Sequence, residues 1–418
     1  MKVTFDKQDL LAALIPAAGI SQAKNTLAAV DGLLFECPPN ARFGEYDGED
    51  RNVCRISAFD LEKGLRTTVK CRIEEEGLYV INTAKILQIV RSLPDGDVTI
   101  SIDERGRVTL KSGFSQFEIT ATPGDEFPSM PRFVGESRFE VPQHKLRTLI
   151  GETVFSVAAN DQRAAFTGAL FRLENGMITM VGCDGFRLSA ARYAVDRIEV
   201  GEKTEIIIPG KFLTELYKLL RDTEDEVEVI IGHKNIIFRV DDMYFFTRML
   251  DTEYLPYENL LPQTYMTQAY VSRDLILSAV ERASIISEDK LGGSGRVHVK
   301  LVIEEDGIAM SSVSAGGSVY DKIPAAIDGA PLTIGFTCRY LLEAIRACPP
   351  ECATLRIRFN SPLMGVVIEP SGGTSFLNAK PDASVYGESA AEERTGEKKE
   401  DGEENSFMFF VLPRRMNN

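Results

Sequence analysis

Residues 80–103 read VINTAKILQIVRSLPDGDVTISID, a strand, a helix of about three turns, a turn and a second strand. Ile86, Leu87, Ile89, Val90 and Leu93 recur at helical spacing and form one apolar face, with Lys85, Gln88 and Arg91 opposite. Pro94-Asp95-Gly96 stops the helix, because proline cannot extend it and an Asp-Gly step favours a turn. Val98, Ile100 and Ile102 then alternate with polar residues, as in a half-buried strand.

The same order recurs twice, as IIIPGKFLTELYKLLRDTEDEVEVII from Ile206 and LTIGFTCRYLLEAIRACPPECATLRIRF from Leu332. The anchors Lys85, Lys211 and Arg339 lie 126 and 128 residues apart. An apolar pair follows each anchor, and a second base stands six or seven residues on, at Arg91, Lys218 and Arg346. Solenoid repeats run roughly 20–50 residues, so this period describes repeated domains. The 418 residues then divide into three β-rich domains, 1–133, 134–262 and 263–418.

Composition narrows the class. No window holds the roughly 18 uninterrupted apolar residues of a membrane span, and MKVTFDKQDL lacks the apolar region of a signal peptide. A cytoplasmic protein without a membrane partner is expected. Seven cysteines among apolar neighbours read as reduced core residues. Cys348 and Cys352 have no matching pair for a zinc site, and the three histidines have no ligand partner at motif spacing. Ser21 with Lys24, and Ser287 with Lys290, have the spacing of a serine-nucleophile motif but lack its companion motifs. No catalytic residue, metal or cofactor is therefore assigned.

Each repeat pairs its module with an earlier helix and ends on a hairpin. The expected helices are 7–19, 83–93, 142–151, 210–221, 272–286 and 337–347, and the expected strands include Ala28–Cys37 and Ala165–Leu173. The last hairpin is interrupted by 371–406, with nine acids and four bases, an insertion whose composition predicts disorder.

Five segments resemble the bacterial DNA polymerase III beta subunit, the sliding clamp: FDLEKGLRTTV at 59–69, YVINTAKILQIVRSLPDG at 79–96, ATPGDEFPSMP at 121–131, CDGFRLS at 183–189 and VLPRR at 411–415. The resemblance implies an α+β fold of three clamp domains, each with antiparallel sheets and two helices on an inner face. It implies a homodimer closed head to tail into a ring around duplex DNA. It also implies a non-catalytic subunit of a nucleotidyltransferase holoenzyme, partnered by the polymerase III alpha subunit, the clamp loader and other proteins with clamp-binding motifs. The other reading of the residues is a structural or adhesive β protein that binds no DNA.

Charge can be read without the family. The six expected helices hold twelve bases and five acids, a surplus of +7 inside a chain of −15. Such a surface attracts phosphates without reading bases. Lys85, Arg91, Lys145, Arg147, Lys211, Lys218 and Arg346 are the helix candidates, and by resemblance Lys24, Asn160 and Arg163 join them. The resemblance also places a peptide pocket at Phe166, Cys183, Gly185, Phe186, Arg187, Leu188, Pro256, Leu260, Gly365, Val411, Leu412, Pro413 and Arg414, and a dimer contact of Phe117 and Ile119 with Ile285 and Ile286.

Overall fold

The computed structural model describes residues 1–21, 28–39, 52–131, 137–195, 203–287, 298–314, 316–372, 375–377, 380–381 and 406–415. Lys24 and 382–405, most of the insertion, lie outside the described residues. Six α-helices are described: α1 (Lys7–Ile20), α2 (Thr83–Ser92), α3 (Gln143–Thr153), α4 (Gly210–Leu219), α5 (Arg273–Ser287) and α6 (Cys338–Ala347). Their bounds depart from the sequence expectation by at most two residues at an end.

The chain forms two compact units, Met1–Arg147 with Lys211–Met249, and Thr148–Gly210 with Leu250–Asn418. In the first unit a sheet of thirteen strands joins strands from 2–123 to strands from 137–248. The junction is an antiparallel ladder in which Tyr244 faces Arg66 and Phe245 faces Leu65. Helix α1 packs on α2. Asp6 caps α1 by accepting from the Gln8 and Asp9 amides, and Asn82 caps α2 through the Lys85 amide. Lys7 joins the two helices: its Nζ donates to the Leu93 carbonyl at 2.6 Å and to Asp95 at 2.9 Å. It thereby satisfies a carbonyl left over at the end of α2.

The second unit has a nine-stranded sheet, a four-stranded sheet of Gly317–Ile323, Gly307–Ser314, His298–Glu304 and Leu332–Thr337, and a two-residue parallel bridge. In the larger sheet, strand Arg187–Ala194 pairs with Ser406–Val411, so that Leu188 faces Phe410 and Ala190 faces Met408. Helix α5 packs on α6. Glu369, fully buried, accepts from Arg356 at 3.1 Å and lies 2.9 Å from Arg358.

Two expected strands begin later than their alternation suggests. Ala28–Asp31 and Ala164–Thr167 are 3-10 turns, followed by strands Gly32–Cys37 and Gly168–Glu174. The second turn is closed by the Phe166 amide on Arg163 O at 3.0 Å and by the Thr167 hydroxyl on Ala164 O at 2.8 Å. Within the insertion, Phe376 and Leu377 pack on the sheet, and Lys380–Pro381 pairs with Thr264–Tyr265. Side-chain contacts order what composition alone would leave loose. The cysteines among the described residues are free thiols, five of them buried, and no described helix is long and apolar enough to cross a membrane.

Near the end of α3, burial raises the Glu152 carboxyl from its ordinary 4.5 to about 8, with Glu351 adding repulsion. A raised carboxyl contributes stability that is complete below 4.5 and is lost as pH climbs through about 8. Glu152→Gln should therefore melt with wild type at pH 4 and a few degrees above it at pH 8, by differential scanning calorimetry. Identical melting curves at both pH values would remove the assigned cause.

Candidate functional site

The site grows from one turn. Asp184 accepts from the Phe186 and Arg187 amides at 2.9 and 3.0 Å, and Gly185 takes φ +85°, a conformation that favours glycine. This turn leaves the Phe186 ring half exposed and stacked on Tyr340 of α6, with centroids 5.7 Å apart. The Leu412 amide donates to Phe186 O at 2.9 Å and the Arg414 amide to Gly335 O at 2.8 Å, which lays the tail beside the turn. Gly185, Phe186, Thr337, Tyr340, Leu412, Pro413 and Arg414 thus surround a cleft of about 430 Å³.

A second cleft of about 580 Å³ shares Phe186 and Tyr340 and continues past Phe155, Asn160, Asp161, Arg187, Arg339 and Glu343. Arg187, only 5% exposed, organises it. Its guanidinium donates to Asp184 at 3.1 Å, to Glu343 and to the Phe155 carbonyl, and lies over the rings of Phe155 and Tyr340. Burial opposes the charge on Glu343, but Arg339 and Arg187 outweigh it and hold that carboxyl below its ordinary range.

The expected pocket residues occupy three kinds of place. Gly185, Phe186, Arg187, Leu412, Pro413 and Arg414 line the clefts. Phe166, Cys183 and Leu188 are buried in an apolar cluster with Leu170, Val181, Tyr257, Leu261 and Phe410. Val411 is buried in the ladder opposite Arg187. Gly365 is buried too, and a Cβ there would come within 2.2 Å of the Phe410 ring. Pro256 and Leu260 are exposed and border neither cleft. Sequence reasoning missed Phe155 and Thr337, and took Tyr340 only as an apolar helix position. An aromatic floor with a few fixed polar groups suits an apolar peptide.

The candidate DNA residues also separate. Lys218 is tied to Glu215, Arg346 to Glu281 and Arg163 to Asp161. The hydrogen bond from Arg163 pulls the partly exposed Asp161 carboxyl down to about 2. Arg147 lies over the Tyr217 ring at 4.5 Å. Lys85, Arg91 and Lys211 are exposed and Lys145 half exposed, and the described residues give these four no ion pair. Phe117 sits exposed on strand Ser115–Pro123, whose 115–120 stretch is paired on one side only among the described residues, and Ile119 is half buried there. Ile285 is exposed and Ile286 half buried at the end of α5.

Models of three parts of one family match the chain in order: the N-terminal domain of the DNA polymerase III beta subunit over residues 1–131, the central domain over 140–256 and the C-terminal domain over 258–379. The chain belongs to the DNA polymerase III beta subunit family. Among curated relatives, the beta sliding clamp of Bacillus subtilis is 26% identical over 368 residues, covering 88% of this chain and 95% of the relative. That of Halalkalibacterium halodurans is 27% identical, covering 81% and 88%. The solved Bacillus subtilis sliding clamp shares the fold at a TM-score of 0.81 and 23% identity, and the Thermotoga maritima beta subunit at 0.79 and 23%, each over 100% of both chains. The three-clamp-domain fold expected from sequence is thus the fold found. Membership makes the chain a DNA sliding clamp, a processivity factor with no catalytic chemistry of its own.

Arg187 is the keystone of this beta subunit's clefts. Arg187→Met, which leaves Asp184 without its cation and Glu343 with Arg339 alone, should cost roughly 3 kcal/mol in urea unfolding. Arg187→Lys should recover little, because a point ammonium cannot serve three acceptors spread over a guanidinium plane. A lysine variant with the wild-type midpoint would contradict that geometry.

Proposed function

We propose that two copies of this chain close head to tail around duplex DNA in the cytoplasm and tether the replicative polymerase through the Phe186–Tyr340 clefts. The observation that carries this is the ordered match of all three family segments along one chain. The proposed domains are 1–133, 134–262 and 263–418. Retention would come from topology: a closed ring needs only weak phosphate contacts, and weak contacts permit sliding. The cations without a carboxylate partner among the described residues, Lys85, Arg91, Lys145 and Lys211, and Arg147 as well, are proposed to supply most of that attraction. Lys218, Arg346 and Arg163, each already paired, contribute less. Asn160 and Lys24 remain proposed contacts by resemblance.

Closure would pair the open side of strand Ser115–Pro123 with the third domain of the other copy, covering Phe117, Ile119, Ile285 and Ile286. Pairing removes an edge that would otherwise invite aggregation, and a first-to-third-domain contact used twice closes a ring under a twofold axis. Peptides of the polymerase III alpha subunit, the clamp loader and other partners with clamp-binding motifs would anchor apolar side chains in the clefts. Each buried Leu or Phe would contribute roughly 1.5–3 kcal/mol.

Loaded onto circular plasmid by a clamp loader with ATP, the protein should co-elute with the circle at moderate salt and be lost once the plasmid is cut. Retention on linear DNA would contradict a topological hold. Ile285→Asp combined with Ile286→Asp should halve the mass seen by light scattering, whereas a dimer that survives both charges would place closure elsewhere.

A further inference from the structure

The apolar cluster that holds Leu188 and Phe410 carries two side chains that do not belong to the repeated fold. Phe376 and Leu377, from the first part of the insertion, pack half buried against the cluster of Phe166, Cys183, Leu188, Tyr257, Leu261 and Phe410. Phe166, Cys183 and Leu188 are residues that the resemblance assigns to the partner-peptide pocket. The segment is held on both sides of this pair. Before it, the Ser375 hydroxyl donates to the buried Glu369 at 2.7 Å and accepts from Arg358 at 3.2 Å. Arg192 lies over the Phe376 ring at 4.9 Å, and its guanidinium also donates to the Ser375 carbonyl at 3.5 Å. After it, Lys380 and Pro381 run parallel to Thr264 and Tyr265.

We infer that Ser375–Leu377 is a tethered internal ligand of the partner-peptide pocket, which partner peptides must displace. This rests on the reading, by resemblance, of Phe166, Cys183 and Leu188 as part of that pocket. Three features separate a ligand from a piece of core. The side chains pack against the cluster and stay partly exposed, whereas the cluster's own members are buried. An adjacent Phe-Leu pair in an insertion otherwise rich in Glu, Lys, Gly, Ser and Ala supplies the bulky apolar anchors that such a pocket accepts. The anchoring is by a hydroxyl, a stacked guanidinium and a two-residue bridge, contacts that can be exchanged for water without leaving a cavity. A short tether raises the local concentration of such a segment to about the millimolar range. A partner then binds with its intrinsic affinity reduced by the fraction of pockets that stand open.

The test uses the full-length chain with Phe376→Ala and Leu377→Ala together. Two fluorescein-labelled probes are titrated by anisotropy: the synthetic peptide SGGTSFLNAKP, residues 371–381 of this chain, and a peptide from the polymerase III alpha subunit of the same organism. The inference expects the double variant to bind both probes at least tenfold more tightly than wild type, a gain that misfolding cannot imitate. Equal affinity of variant and wild type for the alpha-subunit peptide would overturn the inference and leave the pocket reading intact. Failure of the 371–381 peptide to bind the variant would also overturn it. If the variant gains the 371–381 peptide while the alpha-subunit peptide binds neither protein, the internal ligand stands and the pocket reading falls.

Discussion

Most of what is distinctive here depends on one antiparallel ladder, Arg187–Ala194 against Ser406–Val411. It brings together residues more than two hundred positions apart. Because side chains alternate across a strand, the ladder works on two faces at once. Arg187 points among Phe155, Tyr340 and Glu343 and shapes the clefts. Leu188, Ala190 and Arg192 lie on the other face, the first two in the apolar cluster and the third over Phe376. A shift by one residue would exchange the two sets and remove both the clefts and the cluster.

Charge is managed locally. The chain carries −15 overall, yet its helices are basic. The structure sorts those bases by task. Lys7 and Arg273 are buried and close helix ends, on the carbonyls of Leu93 and Cys348. Arg282 grips Asp321 through two nitrogens, and one Arg221 nitrogen reaches both oxygens of Asp241. What remains for a long-range field is a small exposed group, which suits a surface meant to attract a polyanion without holding it still.

Much of this was readable beforehand, for identifiable reasons. The helices carry their own boundaries: amphipathic spacing, a capping Asn82, and Pro94-Asp95-Gly96 as a stop. The CDGFRLS turn and the tail were legible as site components because they are local motifs. The division of that site into lining and floor was not, since it depends on which face of a ladder each residue takes. Phe155 and Thr337 were invisible because only tertiary packing brings them to the turn, and Tyr340 reads in sequence as one more apolar helix position. Packing within the insertion is equally invisible to composition. The insertion's average composition is that of a disordered segment, while Phe376 and Leu377 pack on a cluster drawn from distant parts of the chain and Ser375 donates to Glu369, six residues back.

The stacked rings of Phe186 and Tyr340 have an optical consequence. The protein contains no tryptophan, so excitation at the red edge of the ultraviolet band leaves it dark. An indole brought in by a bound peptide would be the sole emitter, sitting beside an aromatic wall and shielded from water. Occupancy of this cleft is therefore open to direct spectroscopic observation, with no dye attached to either molecule.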